Sequence, residues 1–222
     1  YDFDIGGLTV GADYRMSDKL IFGGTLGYTK QDNDLRGSDG ALGTRGWSIS
    51  AYGTWYQQDS WYMDGVFSYG RNSYDIERRI RYTITGPSGT TTIDQRGHAD
   101  GEGDSMTFAL SLGRDFNKNG WGFGPYLRAM YTNMSFDPLV EEFEQSVPGV
   151  GLALVLDSRD VTSLSSTLGG KLTYAHSTSW GVVIPHLQLE WQHEFESDPS
   201  EVEARFLFDP AGTPFTLQGD PI

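Results

Sequence analysis

Hydrophobic positions recur at every second residue over most of the chain, the period of a strand with two unlike faces. In residues 7–15, Leu8, Val10, Ala12 and Tyr14 share one face, and Gly7, Thr9, Gly11, Asp13 and Arg15 share the other. Residues 20–29 set Phe22, Gly24, Leu26 and Tyr28 against Gly23, Thr25, Gly27 and Thr29. The same alternation returns in residues 47–55, 61–69, 106–113, 121–132, 164–174 and 183–192. This predicts eight strands of about ten residues each. Soluble strands average about five or six residues, whereas strands of ~9–11 residues suit a tilted bilayer crossing.

The connections alternate in length. Tight turns are predicted at residues 16–19, 57–60, 117–120 and 177–180, at spacings of 41, 60 and 60. Between them lie long polar segments, roughly 31–44, 76–103, 136–161 and 196 onward. Short turns at one end and long loops at the other are the asymmetry of an outer-membrane barrel, with the tight turns on the periplasmic side.

Composition sharpens this reading. Mean hydropathy is −0.42 and the longest apolar runs are a few residues, such as Val182-Val183-Ile184, so no helix can span a bilayer. A membrane chain without such a helix must close a barrel. Gly is 29 of 222 residues, with 12 Tyr and 6 Trp, a balance that suits close strand packing and interfacial rings. The net charge of −14 argues against a nucleic-acid partner. The absence of Cys fits passage through an oxidising compartment.

Tyr14, Trp55, Trp61, Trp121, Tyr174 and Trp180 each lie within a few residues of a tight turn, where an aromatic girdle is expected. The opposite face carries Asp13, Asp64, Arg128, Lys171 and Glu190. A charge in lipid costs a few kcal/mol, so this face is assigned to a watery lumen. Arg78, Arg79 and Arg81, at the expected outer end of the fourth strand, are candidates for lipopolysaccharide phosphates or for nearby acidic loops.

Other clusters are weaker. Asp137, Glu141, Glu142 and Glu144, and separately Asp32, Asp34 and Asp39, lack the regular ligand spacing of a calcium loop, so no metal or cofactor is assigned. His98 beside Asp100 is the one His–carboxylate neighbour of interest, and no G-x-S-x-G nucleophile motif occurs. No catalytic residue is assigned, and the chain is expected not to be an enzyme.

Several stretches resemble the autotransporter β-domain family of type V secretion in Gram-negative bacteria. They are residues 7–14 (GLTVGADY) with 20–24 (LIFGG), 121–128 (WGFGPYLR), 164–174 (LSSTLGGKLTY), 179–185 (SWGVVIP) and 189–195 (LEWQHEF). The likeness covers nearly all of residues 1–222, read as one partial translocator domain. It implies an all-β, antiparallel up-and-down transmembrane barrel in the bacterial outer membrane. Eight of an inferred twelve strands fall in this chain, one lying before Tyr1 and about three beyond Ile222. It further implies export and anchoring of an N-terminal passenger, a linker helix threaded through the pore, and help from the barrel assembly machinery. Arg128 and Glu190 resemble the lumen charges that meet the threaded segment.

Two other functions compete. A porin-like or adhesive outer-membrane barrel without a passenger would have a signal peptide directly before its first strand. A soluble lectin-like sandwich conflicts with the strand length and with Leu, Phe and Trp on one face of each strand.

Overall fold

The computed structural model describes residues 2–35, 40–57, 60–87, 89–196 and 201–218. Strands β1 (Asp2–Ser17), β2 (Leu20–Leu35), β3 (Gly40–Tyr56), β4 (Trp61–Gly86) and β5 (Gly89–Arg114) follow one another as hairpins. The short β6 (Phe116–Lys118) leads into β7 (Trp121–Phe136). Next come β8 (Leu139–Val140), β9 (Glu142–Phe143), a 3-10 turn at Val150–Leu152 and β10 (Leu154–Leu156). Then follow β11 (Arg159–Tyr174), β12 (His176–Thr178), β13 (Gly181–Val183), β14 (His186–Glu194), β15 (Glu201–Phe206) and β16 (Phe215–Gln218).

The main sheet runs β1-β2-β3-β4-β5-β7-β11-β14, every neighbour antiparallel. These are the eight strands expected from the alternation, in up-and-down order. The wall is open between β1 and β14, the two ends of the path. Its tight turns use the expected chemistry. Lys118 and Trp121 pair directly across Asn119-Gly120, whose φ values of 52° and 84° meet the demand of a two-residue hairpin turn for positive φ at both positions.

Along the strands, Leu8, Val10, Leu26, Ile49, Phe67, Phe108, Leu110, Leu127, Leu168 and Leu189 all lie exposed on the outward face. A soluble fold would bury them, so their exposure on one continuous face marks a lipid-facing surface.

Three expectations are corrected. First, segment 76–103 is not a loop. β4 and β5 are 26 residues each and stay paired from Trp61↔Arg114 to Gly86↔Gly89. At ~3.3 Å per residue such a strand is about 85 Å long, far more than a barrel's apolar band of ~25 Å, so most of this hairpin stands outside the membrane. In the same way β2 runs to Leu35 and β3 starts at Gly40, which leaves little of the 31–44 loop. Second, the last predicted strand is split, because Pro185 has no N–H to give to a ladder. Residues 181–183 pair with β12 instead, and β14 begins at His186.

Third, the segments 136–161 and 196 onward are not merely polar loops. They supply a second sheet in the order β16-β15-β10-β8. β9 also adds to β5 through Gly97↔Phe143 and His98↔Glu142. Most of the buried apolar core is here: Ile93, Ala99, Phe143, Ala153, Val155, Val202 and Ala204. It covers the inward side of the β5 extension. The Phe143 ring fills the space where a side chain on Gly97 would stand, and Gly149, at φ 106°, lets the chain turn against Ile93.

Candidate functional site

The register turns the inward face into rows. Thr54, Asp64, Ser111, Arg128, Thr167 and Gln192 are successive partners across β3, β4, β5, β7, β11 and β14. Partners in register place their side chains on one face, so Asp64 and Arg128 share a row with Ser111 between them. Thr54 Oγ1 donates to Asp64 Oδ1 at 2.7 Å, and Arg128 Nε donates to Ser111 Oγ at 3.3 Å.

The next row towards the tight turns runs Tyr62, Gly113, Tyr126, Gly169 and Glu190. The rings of Tyr62 and Tyr126 lie over Gly113 and Gly169, in the space a Cβ would need, and Tyr52 lies over Gly23 in the same manner. Glycine at these three positions therefore admits a flat aromatic ring against the wall.

Tyr126 and Glu190 are the centre of the site. The Tyr126 hydroxyl donates to Glu190 Oε1. Gln188 Nε2 donates to the same carboxylate oxygen at 2.7 Å and to the Tyr126 hydroxyl at 2.9 Å. The Arg128 guanidinium carbon stands 5.7 Å from the Tyr126 ring centre. A cation over a ring face at this range is a weak attraction. Lys171 is the direct partner of both Gly124 and Gln188, one row nearer the turns. Glu190, Arg128 and Lys171 are all exposed on this face. Chemically, the patch offers a held carboxylate, two cations and hydroxyl and amide donors to a polar strand or helix passing along the wall. Asp13 stands apart, opposite Gly23 on β1.

Alternation placed Tyr126, Gln188, Ser111 and Thr54 on the inward face without marking them as a site. Only the register shows that they touch the charged residues.

The six aromatic residues named for the girdle lie at or near the tight turns. Tyr14, Trp55, Trp61, Trp121 and Trp180 are exposed, and Tyr174 is half-buried beside Trp121, ring centres 4.6 Å apart. The Arg114 guanidinium stacks between Trp61 and Phe116, at 5.3 and 4.7 Å.

The three outer arginines sit elsewhere than expected. Outward apolar residues on β4 stop at Tyr69, and Arg78 lies nine residues further along, roughly 30 Å by strand rise. Its fork is also occupied. Arg78 Nε and Nη2 donate to the two Glu141 carboxylate oxygens at 2.7 and 2.5 Å, and Nη2 also donates to the Leu152 carbonyl oxygen at 3.3 Å. Glu141, 8% exposed, also accepts from Leu154 N at 2.9 Å, so it belongs to the buried cap and not to a solvated loop. Arg79 pairs with Asp94 at 2.8 Å, and Arg81 lies 3.9 Å from the same carboxylate. His98 lies between Asp75 and Asp100 at 3.4 and 3.3 Å, on the outward face of this hairpin and far from the inward patch. Asp39 lies outside the described residues.

Sequence and fold comparisons agree with this geometry. The family profile described as Autotransporter beta-domain matches residues 1–222. The chain belongs to the autotransporter β-domain family. It is 27% identical over 220 residues to "Autotransporter CRAC" of Citrobacter rodentium (strain ICC168), covering 96% of this chain and 12% of that protein. The chain thus spans about an eighth of that relative. Its fold is similar to the translocator domain of autotransporter NalP from Neisseria meningitidis (TM-score 0.67, 17% identity, 94% of this chain and 70% of the other). It is also similar to the β-domain of the Bordetella autotransporter BrkA (TM-score 0.57, 20% identity, 100% and 86%). As an autotransporter β-domain the chain is an outer-membrane barrel wall. Its apolar face is the lipid face, and the Tyr126–Glu190 patch lies on the pore side.

Proposed function

We propose that this wall lines the path by which an N-terminal passenger leaves the cell, and then anchors that passenger at the surface through a linker held in the pore. The observation that carries this reading is the inward patch of Glu190, Tyr126, Gln188, Arg128 and Lys171, which faces the space a threaded segment would occupy. The step is a passage and not a reaction. The barrel supplies a water-filled route and a few charge-assisted contacts to the segment, and no residue is assigned a catalytic role. Such contacts are worth more than neutral ones, yet the surrounding water keeps them weak enough to release a moving chain. The barrel assembly machinery is the proposed partner for insertion, and lipopolysaccharide the proposed lipid neighbour.

The test compares two neighbours on β14 in the full-length protein. Glu190→Leu removes a carboxylate from the patch, whereas Gln192→Leu changes an inward residue outside it. We expect Glu190→Leu to slow passenger exposure, followed by surface protease accessibility, several-fold more than Gln192→Leu. Equal rates would remove Glu190 from the mechanism. A full-length protein with no passenger to expose would instead indicate a porin-like barrel.

A further inference from the structure

On three adjacent strands the outward apolar face ends at its outer rim in a basic residue, whereas on β5 Met106 is followed by Asp104. On β2 Tyr28 is followed on that face by Lys30, on β3 Trp47 by Arg45, and on β4 Tyr69 by Arg71. The rings form the outer interfacial row, with Trp47 and Tyr69 edge to face at 5.8 Å. Interfacial aromatics sit at headgroup level, so the three cations stand in the headgroup layer.

The register brings them together. Lys30 is the direct cross-strand partner of Arg45, and Arg71 is the direct partner of Trp47, which makes Arg71 a diagonal neighbour of Arg45. Direct partners have Cβ atoms about 5 Å apart, and like charges so placed repel. Folding alone gives no reason for that arrangement. The nearby acids relieve it only in part. Lys30 pairs with Asp32 at 2.6 Å, and Arg71 pairs with Glu102. The Tyr69 hydroxyl donates to Asp104 at 2.8 Å. Among the described residues no carboxylate pairs with Arg45. Asp32 and Glu102 lie further from the membrane along their strands than the cations they pair with. Asp104, by contrast, is the direct cross-strand partner of Arg71 and stands level with it. An anion arriving from the membrane therefore meets Lys30 and Arg45 before any acid that pairs with them, and meets Arg71 beside Asp104.

We propose that Lys30, Arg45 and Arg71 form a binding site for the phosphate of an outer-leaflet glycolipid, lipopolysaccharide in this membrane. The proposal rests on the outer-membrane assignment. Arg45 supplies the free fork, which matches phosphate oxygens in pairs. Lys30 and Arg71 flank it, and Tyr28, Trp47 and Tyr69 lie against the sugar and upper acyl region. The site replaces Arg78, Arg79 and Arg81, which stand too far out.

The experiment uses the full-length protein folded in detergent micelles, with retention of labelled lipopolysaccharide as the readout. Arg45→Gln should weaken retention severalfold, and K30Q/R45Q/R71Q about tenfold or more. Arg45→Lys, which keeps the charge but loses the fork, should fall between wild type and Arg45→Gln. R79Q/R81Q should leave it unchanged. Lipopolysaccharide stripped of its lipid phosphates should bind wild type as poorly as intact lipid binds the triple variant. Retention by the triple variant equal to wild type would overturn the proposal. So would competition by millimolar inorganic phosphate, which would make this a free-phosphate site. Each variant is first checked for the heat-modifiable folded form, and Arg45→Gln alone keeps the test open if the triple variant does not fold. Fractionation separates the two readings. A protein found in the outer membrane with unaltered lipid retention sinks only this site, whereas a protein absent from that membrane sinks the assignment beneath it.

Discussion

The Arg78–Glu141 pair shows how much one residue's surroundings can change its meaning. In the sequence, both belong to polar stretches that read as solvated. In the structure, Glu141 is buried and accepts from Arg78 and from the Leu154 amide, while Arg78 lies 5.7 Å from the Phe143 ring. Removing one partner of such a pair leaves a carboxylate without its counter-charge in a dry place, which costs more than the pair contributes. Because Arg78 is partly exposed, water softens the loss. We expect Arg78→Ala to destabilise the cap by about 1–3 kcal/mol. The check is faster hydrogen exchange at Val155 and Ala204, with the membrane strands unchanged. Unchanged exchange in the cap would show that the pair is not holding it. The lumen residues were legible in a more limited way. Period-two alternation is enough to put Asp64, Arg128, Lys171 and Glu190 on the polar face. It cannot say which residues meet across strands, because that depends on register, and register depends on the turns. The facing of Tyr126 to Glu190 and of Tyr62 to Gly113 therefore emerged only with the pairing.

At the scale of elements, the eight main strands were legible and the outer third of the molecule was not. The reason is visible in β5. Within the membrane it alternates Met106, Phe108, Leu110 and Leu112 with small or polar residues. Beyond the membrane its covered face is Ile93, Gln95, Gly97 and Ala99. Small and polar residues on the buried face erase the hydrophobic period, although the ladder to β4 continues unbroken to Gly89. Gln95 is buried and still satisfied, donating to Glu144 O and Val147 O at 2.9 Å each. The exposed hairpin face is held partly by charge. Arg79 donates to both Asp94 oxygens and, as the largest cause, holds the Asp94 carboxyl below the usual carboxylate range, with Arg81 and Arg96 acting in the same direction. A carboxylate whose folded pKa is depressed adds stability above its unfolded pKa and loses it as pH falls through the folded value. Local opening of the hairpin should therefore be flat from neutral pH down to about 4 and should rise only below that. Protease cleavage near the hairpin end, followed against pH, checks this. An Asp94→Asn variant should be cut faster at neutral pH and should lose that added pH dependence, whereas a profile identical to wild type would show that the pair contributes nothing to hairpin closure.

For the molecule as a whole, the governing fact is that two solvents meet one sheet. A soluble domain hides its apolar side chains from water. Here the largest buried apolar cluster lies in the outer cap, and the membrane strands expose Leu, Phe and Trp outward while keeping charge inward. Chain-wide averages blur this inversion, because a strand with one apolar and one polar face has middling hydropathy. That is why mean hydropathy reads like that of a soluble protein while the positional pattern does not. The consequence can be tested at one depth in the bilayer with two adjacent residues. Phe108 faces outward at the middle of the β5 apolar run, and Thr107 faces inward, paired with Ser68 and within 3.3 Å of the Thr132 hydroxyl. An arginine facing lipid near the bilayer midplane costs about 2–4 kcal/mol, whereas one facing a watery lumen costs far less. Phe108→Arg should lower the equilibrium stability of the protein folded into lipid vesicles by that amount, measured by denaturant titration, and Thr107→Arg by less than half as much. If the order were reversed, the apolar face would be the interior of a soluble barrel, and both the lipid-facing surface and the pore lining would have to be exchanged.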